Sequence, residues 1–455
     1  MNVKDIAPLS VALILILHGG GFERANAARP KPALSIASSS SVAITAEEPR
    51  GVLSLREVLS LTLLRNPELS TFTFELRAAE ARLLQAGVLP NPALSVELEN
   101  FGGTGSTTKG VRATETTLQL SQLIELGGKR VKRMRLAGFE RELTGWDYEV
   151  KRLEVLTEAK KAFVNVLATQ ERLAFTNELL RLAEQVQRTV SERVKAGKVS
   201  PIEETKARVV VSGARLQTQQ TLSAHEATRK RLAASWGSTT PRFEGVSGSL
   251  ETTAPVPSIE AFAARVQNNP DMARWASEME ARRAQVEVAR SKATPDLTLS
   301  GGVRYLNETK ESAFVVGVSL PLPLFDRNRG GILEAHARLT KAEFERRAAE
   351  VRVNTMLAEA YQNLVSATNE VTTLHNEILP AAEEVFQATQ EGYRLGKFGF
   401  LDVLDAQRTL FETRGRYFEA LATYHKAVAD LERLSGEELH TVPEDATPPR
   451  EREQR

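Results

Sequence analysis

Residues 66–68 read Asn-Pro-Glu, and residues 269–271 read Asn-Pro-Asp. From each triplet the chain continues in the same order. A helical stretch that ends at proline comes first, then two segments in which apolar and polar side chains alternate, and then a long helical stretch that ends at Gly-Lys. The pairs Gly197-Lys198 and Gly396-Lys397 lie 199 positions apart. Chance similarity between two Ala-, Glu- and Arg-rich sequences is the alternative. The recurring order favours an internal two-fold sequence repeat of the unit helix, helix, strand, strand, helix, helix.

The stretches without proline predict unusually long helices. Residues 128–196 contain no proline, and apolar side chains recur there at spacings of three and four. At about 1.5 Å per residue, such a helix is on the order of 100 Å long. A second helix is predicted over 201–236, and the counterparts of the two lie at 332–395, interrupted only by Pro380, and at 400–434. Helices of this length cannot be buried in a globule, so we expect coiled-coil hairpins.

Four segments of about ten residues alternate between apolar and polar side chains. They form two pairs, over about 93–122 and about 296–321. Such alternation with Gly-rich turns is typical of outer-membrane barrel strands, although a soluble antiparallel sheet over a helical core would alternate in the same way. Four strands cannot close a barrel, and an open strand edge is not tolerated in lipid. Several chains would therefore have to contribute strands.

The two ends of the chain differ from the repeats. Residues 1–27 combine a short apolar run with a small-x-small cleavage site, which predicts a signal peptide; an N-terminal anchor helix is the alternative. Residues 28–50 are rich in Pro, Ser and Ala and predict a flexible leader, and residues 437–455 predict a disordered tail. The first repeat then occupies 51–250 and the second 251–436.

The composition excludes several classes of protein. The chain has no cysteine, which rules out disulfide scaffolds, thiolate metal sites and an N-terminal lipid-modified cysteine. Its 59 basic and 58 acidic residues balance, which argues against nucleic acid as a partner. Neither a Gly-x-Ser-x-Gly elbow nor a P-loop is present, so we expect no enzymatic activity and no cofactor.

Several local motifs accompany the repeat. They are Asn66-Pro67-Glu68, Leu89-Pro90-Asn91-Pro92, the stretch from Glu125 to Arg130, the stretch from Pro321 to Gly330, and the stretch from Gly396 to Gln407. With them the sequence resembles the TolC-like outer-membrane efflux protein family over nearly all of residues 51–436. The Pro-Leu-Pro-Leu-Phe-Asp-Arg-Asn-Arg-Gly stretch is most similar to the outer-membrane subunit of cobalt–zinc–cadmium (heavy-metal) resistance-nodulation-division exporters.

The resemblance implies a mainly α fold with a membrane β-barrel. Long α-helical hairpins would form a coiled-coil tunnel, and four β-strands per chain would close a twelve-stranded barrel as a homotrimer. The implied location is the outer membrane of a Gram-negative cell, with contact to outer membrane lipid and an extension into the periplasm. The implied partners are a periplasmic adaptor (membrane fusion) protein and an inner-membrane resistance-nodulation-division pump.

The implied function is a passive exit duct in a tripartite efflux system, and the motif favours divalent heavy-metal cations as the substrate. Two alternatives stay open. The same duct could serve drug efflux or type I secretion, or the chain could be a secreted coiled-coil scaffold without a pore.

The candidate functional residues lie near the two Gly-Lys turns. In the resembled family the periplasmic tip closes by constriction, with acidic residues close to the hairpin turn. The motif places Asp402 and Asp405 at those positions, and the repeat makes Glu203 the counterpart of Asp402. In a trimer each would form a ring of three carboxylates, and acidic rings favour cations in a pore.

Two features complicate this assignment. The position at which related proteins carry a basic latch residue holds Phe398, and the nearest basic residues are Lys198 and Lys397. Glu203 and Asp402 also lie where a first-turn carboxylate would offset a helix dipole, and the two roles can coexist.

No dedicated metal site is expected. Beyond the predicted signal peptide no histidine lies three or four residues from another, so each is interpreted as a solvated helix residue. These histidines are His225, His336, His375, His425 and His440.

Overall fold

The computed structural model describes residues 47–106, 110–266 and 269–436. The predicted signal peptide, nearly all of the predicted leader, the predicted tail and His440 lie outside the described residues. The helices are α1 (Leu55–Arg65), α2 (Pro67–Ala86), α3 (Lys129–Lys195), α4 (Pro201–Ala234), α5 (Ile259–Val266), α6 (Pro270–Ser291), α7 (Arg329–Thr373), α8 (Leu379–Arg394) and α9 (Phe400–Ser435). The strands are β1 (Gly51–Leu53), β2 (Ala93–Glu99), β3 (Glu115–Ile124), β4 (Phe243–Val246), β5 (Leu297–Leu306) and β6 (Glu311–Ser319).

The long helices occupy the stretches predicted for them, with one difference. Helix α3 is continuous over 67 residues, whereas the corresponding stretch of the second half is broken between α7 and α8 by a π-helical turn at Leu374–Ile378. Pro380 follows this turn, and a proline ring displaces the carbonyl four residues before it. The wider turn accommodates that displacement without ending the helical path.

Four strands form one antiparallel sheet in the order β2-β3-β5-β6. Its centre is the pairing of β3 with β5, which joins the two halves of the chain. The pairing places Val96, Leu118, Val303 and Phe314 in one row across the sheet. These side chains are exposed, from 43% for Val303 to 91% for Phe314. The sheet therefore has one apolar face directed outward, and β2 and β6 are its edges. A separate two-stranded sheet pairs β1 with β4 in parallel.

The recurring asparagines perform the same task in both halves. The Asn66 side-chain oxygen accepts a hydrogen bond from the Leu69 N–H at the start of α2, while its amide nitrogen donates to the Ser235 carbonyl at the end of α4. Asn269 caps α6 and donates to the Arg433 and Leu434 carbonyls at the end of α9. Each asparagine thus satisfies orphan groups at two helix termini at once.

The corners between strands and helices depend on polar side chains. Asp296 accepts a hydrogen bond from the Leu126 N–H at 3.0 Å and forms an ion pair with Lys129 at 2.7 Å. At the second corner the left-handed residue is Asn328, whose side chain donates to the Ala289 carbonyl of α6. Gly330 and Gly331 lie inside the first turn of α7.

The main hydrophobic core lies where α3, α7 and α9 pack around the small parallel sheet. Helix α9 contributes Tyr424, Leu421 and Leu431 to this core, and all three are at most 1% exposed. Among the described residues, no helix combines the length and hydropathy required to cross a membrane.

The expectation that every histidine is solvated is wrong for two of them. His225 and His425 are 6% and 3% exposed, because the faces of α4 and α9 that carry them pack inward. The His425 Nε2 donates to the Leu250 carbonyl at 2.8 Å. Burial lowers the pKa of His425, against the opposing effect of that hydrogen bond. Burial, followed by the charge of Arg229, also lowers the pKa of His225.

We predict that His425 makes the fold sensitive to acid. Because its pKa is lower in the folded than in the unfolded chain, its contribution to stability is present above about pH 6.5 and is lost as the pH falls. Thermal unfolding of the detergent-solubilised protein between pH 7.5 and 5.5 should show a smaller decrease in Tm, by a few degrees, for His425→Gln than for the native protein. The exposed His336→Gln is the matched control and should behave like the native protein; a similar change in both variants would contradict the prediction.

Candidate functional site

The two helical hairpins end in turns of the same construction. Gly197 and Gly396 both adopt positive φ, at 68° and 77°, a conformation that costs glycine little. The following lysine N–H reaches back to the fifth residue before it: Lys198 donates to the Arg193 carbonyl, and Lys397 to the Gly392 carbonyl. The two turns therefore reverse the chain in the same way at the end of each hairpin.

Asp402 has a structural role at the start of α9. Its Oδ2 accepts a hydrogen bond from the Gly399 N–H at 2.8 Å, which satisfies an otherwise orphaned donor. The carboxylate also lies in the first turn of the helix, where negative charge offsets the helix dipole. Asp402 therefore offsets the dipole of α9, as its position in the sequence suggested. This role uses Oδ2 and leaves Oδ1 available.

Asp405 lies one turn further along α9 and is largely exposed. Its carboxylate pairs with Arg408 at 2.9 Å, and both side chains are about 70% exposed, so the pair contributes little to stability. Asp402 and Asp405 line the same groove of about 620 Å³, between α9 and the segment formed by the π-helical turn and α8. The structure thus brings these two predicted residues together.

Glu203 has different partners from those two aspartates. Its Oε2 accepts a hydrogen bond from the Tyr393 hydroxyl of α8 at 3.4 Å. Arg193 of α3 places its guanidinium 4.7 Å from the centre of the Tyr393 ring and donates to the Tyr393 carbonyl at 3.3 Å. Burial, opposed by Arg193 and assisted by the Glu203 charge, raises the pKa of Tyr393, so its hydroxyl stays protonated and can donate.

This chain of contacts joins the two hairpins close to their turns. Arg193 and Glu203 belong to the first hairpin, and Tyr393 belongs to the second. A small apolar core beneath them includes Val190 and Phe386. Sequence reasoning missed Arg193 and Tyr393, because both looked like ordinary residues of the last helical turn. Their position within four residues of each turn glycine was the available signal.

Phe398 occupies the position at which a basic latch residue was considered. Its ring lies against Gly392, where a side chain would overlap it, and Phe398 remains 47% exposed. The structure therefore shows an aromatic contact at this position. Among the residues that the structure describes, no group of three or more acidic, histidine or cysteine side chains could hold a metal ion.

The comparison with known families identifies the chain. Residues 58–238 and 264–437 match the family model described as outer membrane efflux protein. The chain belongs to the outer membrane efflux protein family. This family consists of efflux ducts, and its location is the outer membrane.

Two curated relatives of this efflux protein carry metal resistance in their names. The chain is 35% identical over 398 residues to the cobalt-zinc-cadmium resistance protein CzcC of Cupriavidus metallidurans, which covers 88% of the chain and 93% of the relative. It is 30% identical to the nickel and cobalt resistance protein CnrC of the same organism, over 70% of the chain and 73% of the relative.

Solved structures share the fold of this efflux protein. The CmeC outer membrane channel of Campylobacter jejuni superposes with a TM-score of 0.71 at 17% identity and covers 84% of the chain and 85% of that structure. The outer membrane protein VceC of Vibrio cholerae gives a TM-score of 0.69 at 17% identity and covers 84% of the chain and 96% of that structure. The predicted class of a mainly α, TolC-like fold is thus confirmed.

Proposed function

We propose that this protein is the passive exit duct of a tripartite efflux system for divalent heavy-metal cations. The observation that supports a duct most strongly is the four-stranded sheet, which exposes an apolar face and has two unpaired edges. An apolar face suits lipid, but an open edge does not, because each unsatisfied backbone group in the hydrocarbon region costs several kcal/mol. A closed barrel assembled from several chains satisfies both requirements.

We infer that three chains contribute four strands each to a twelve-stranded barrel. The edge strand β6 of one chain would then pair with β2 of the next. The helices offer a second contact between chains, because Ile202, Val209 and Leu216 recur every seven residues on α4 and are 61–67% exposed. Such a stripe matches the seam of a coiled coil and would be buried against a neighbouring chain.

The substrate class and partners follow from similarity. CzcC and CnrC are named for resistance to cobalt, zinc, cadmium and nickel, and this chain covers most of their length. By analogy, the duct joins a periplasmic adaptor and an inner-membrane resistance-nodulation-division pump, which supplies the energy. The protein itself would only provide the path, so a resident metal site is not required.

We further propose that the hairpin ends form the constriction. Asp402, Asp405 and Glu203 would each form a ring of three carboxylates in the trimer, which favours cations and also repels itself when crowded. The hydrogen bond from Tyr393 to Glu203 ties the hairpins together and holds the closed arrangement. Opening would separate α8 from α4 and break that bond.

The function is tested by the metal tolerance of a deletion strain. Removing the gene should lower tolerance to zinc, cobalt and cadmium, because the duct is the last step of export. The intact gene supplied in trans should restore it. Unchanged metal tolerance together with new drug sensitivity or lost polypeptide secretion would contradict the metal proposal and favour the other substrates of the same duct.

The constriction is tested by conductance in planar lipid bilayers. Tyr393→Phe keeps the ring beneath Arg193 but removes the donor to Glu203, so the resting conductance should rise several-fold. Asp405→Asn should lower the preference for cations.

The matched control for the gate is Tyr361→Phe, a hydroxyl deletion on α7 away from the hairpin ends. It should leave conductance unchanged. Equal conductance of Tyr393→Phe and the native protein would show that the hydrogen bond from Tyr393 to Glu203 does not hold the gate closed.

A further inference from the structure

The polar face of the four-stranded sheet carries one arginine, Arg304 of β5. The pairing of β3 with β5 places Arg304 opposite Thr117, and the pairing of β5 with β6 places it opposite Ala313. Its side chain therefore lies on the face opposite to the exposed apolar row. In the proposed barrel this polar face lines the duct, because the apolar face contacts lipid.

Arg304 of β5 forms two hydrogen bonds to β3 and an ion pair with β2. The Nη1 donates to Glu115 Oε2 at 2.9 Å, and the Nε donates to the Thr117 hydroxyl at 3.1 Å, both on β3. The Nη2 lies 3.1 Å from Glu99 Oε2 on β2. Thr117 is only 2% exposed, so the hydroxyl that accepts from Arg304 Nε is fixed in position. Asn100 donates to the other Glu115 oxygen, Oε1, at 3.3 Å.

The arginine is outnumbered by carboxylates on this face. Glu97 pairs with Thr117 in the register, and Glu311 pairs with Leu306, so both side chains lie on the same face as Arg304. With Glu99 and Glu115 there are four carboxylates and one guanidinium per chain among the described strand residues of this face. Three chains would repeat this imbalance around the duct. The connections beyond these strand ends carry both signs, at Arg112, Glu308 and Lys310.

The position of Arg304 is unusual for a cation pathway. A positive charge in the lining of a pore repels cations, and its effect is strong where low-dielectric walls focus the field. Arg304 with Glu99 and Glu115 carries one net negative charge, and the exposed Glu97 and Glu311 add two more, so Arg304 reduces the negative charge of this face without reversing it. The guanidinium is also fixed in place, so its charge cannot move out of the path.

We propose that Arg304 is a selectivity-determining residue at the outer part of the duct. By offsetting part of the carboxylate charge, it limits the preference for cations, so that a divalent ion passes this region without being retained. Conduction requires binding that is weak enough for release. The proposal rests on the proposed function, because it needs the polar face to line a conducting pore.

The absence of cysteine from the chain permits a direct test. Arg304→Cys should raise the potassium-to-chloride permeability ratio, measured from reversal potentials of the purified protein in planar bilayers, by about twofold. Treatment with the cationic reagent 2-(trimethylammonium)ethyl methanethiosulfonate should return the ratio to the native value. The anionic sulfonatoethyl reagent should raise it further. Arg304→Lys is the matched control, since it keeps the charge and should keep the native ratio.

Ala313→Lys provides a second, independent variant, because it adds a positive charge beside Arg304 without breaking any of its contacts. It should lower the ratio below the native value. An unchanged permeability ratio in conducting Arg304→Cys channels would overturn the proposal while leaving the duct intact. If Arg304→Cys fails to assemble, an unchanged ratio in Ala313→Lys would do the same. A native protein that forms no channels would instead contradict the proposed function itself.

Discussion

The unpaired backbone groups along β2 and β6 constrain every other part of this protein. The sheet exposes an apolar face that suits lipid, yet both of its edges carry free N–H and C=O groups, which lipid cannot satisfy. Covering the edges with a helix would also cover the apolar face beside them. Pairing with strands of neighbouring chains satisfies the groups and leaves that face in contact with lipid. The proposed barrel, assembled from several chains around a central duct, would meet this one requirement.

Polar side chains fix the positions of the helices relative to the sheet. Each strand pair is connected to a long hairpin through a corner fixed by side chains, with Asp296 at one corner and Asn328 at the other. Asn66 and Asn269 then tie the start of a short helix to the end of the returning one. Helix positions are therefore set by polar contacts at helix ends, while apolar side chains supply most of the stability.

Much of the fold was predictable, because it depends on patterns of neighbouring residues in the sequence. Turn glycines such as Gly197 and Gly396 and the long stretches without proline indicated the helix boundaries. The burial of His225 and His425, the π-helical turn before Pro380 and the left-handed Asn328 were not predictable, since each depends on which face packs against another element. Of the candidate site, Asp402 and Asp405 line one groove beside α9, and their role in a constriction stays a prediction. The contact between Glu203 and Tyr393 joins residues 190 positions apart, and the nearness of Tyr393 to the turn at Gly396 was its one signal in the sequence.

The pairing of β6 with β2 of a neighbouring chain is tested most directly by disulfide cross-linking in the outer membrane. Val96→Cys on β2 is combined in turn with Phe314→Cys, Val316→Cys and Val318→Cys on β6. Within one chain the two edges are about 14 Å apart, beyond the roughly 7 Å that a disulfide spans. The control pair Leu118→Cys and Val303→Cys should link within one chain. If β6 pairs with β2 of the next chain, covalent dimers and trimers should form for at least one of the three cysteine pairs. Monomers for all three pairs, while the control pair cross-links, would show that these edges do not meet.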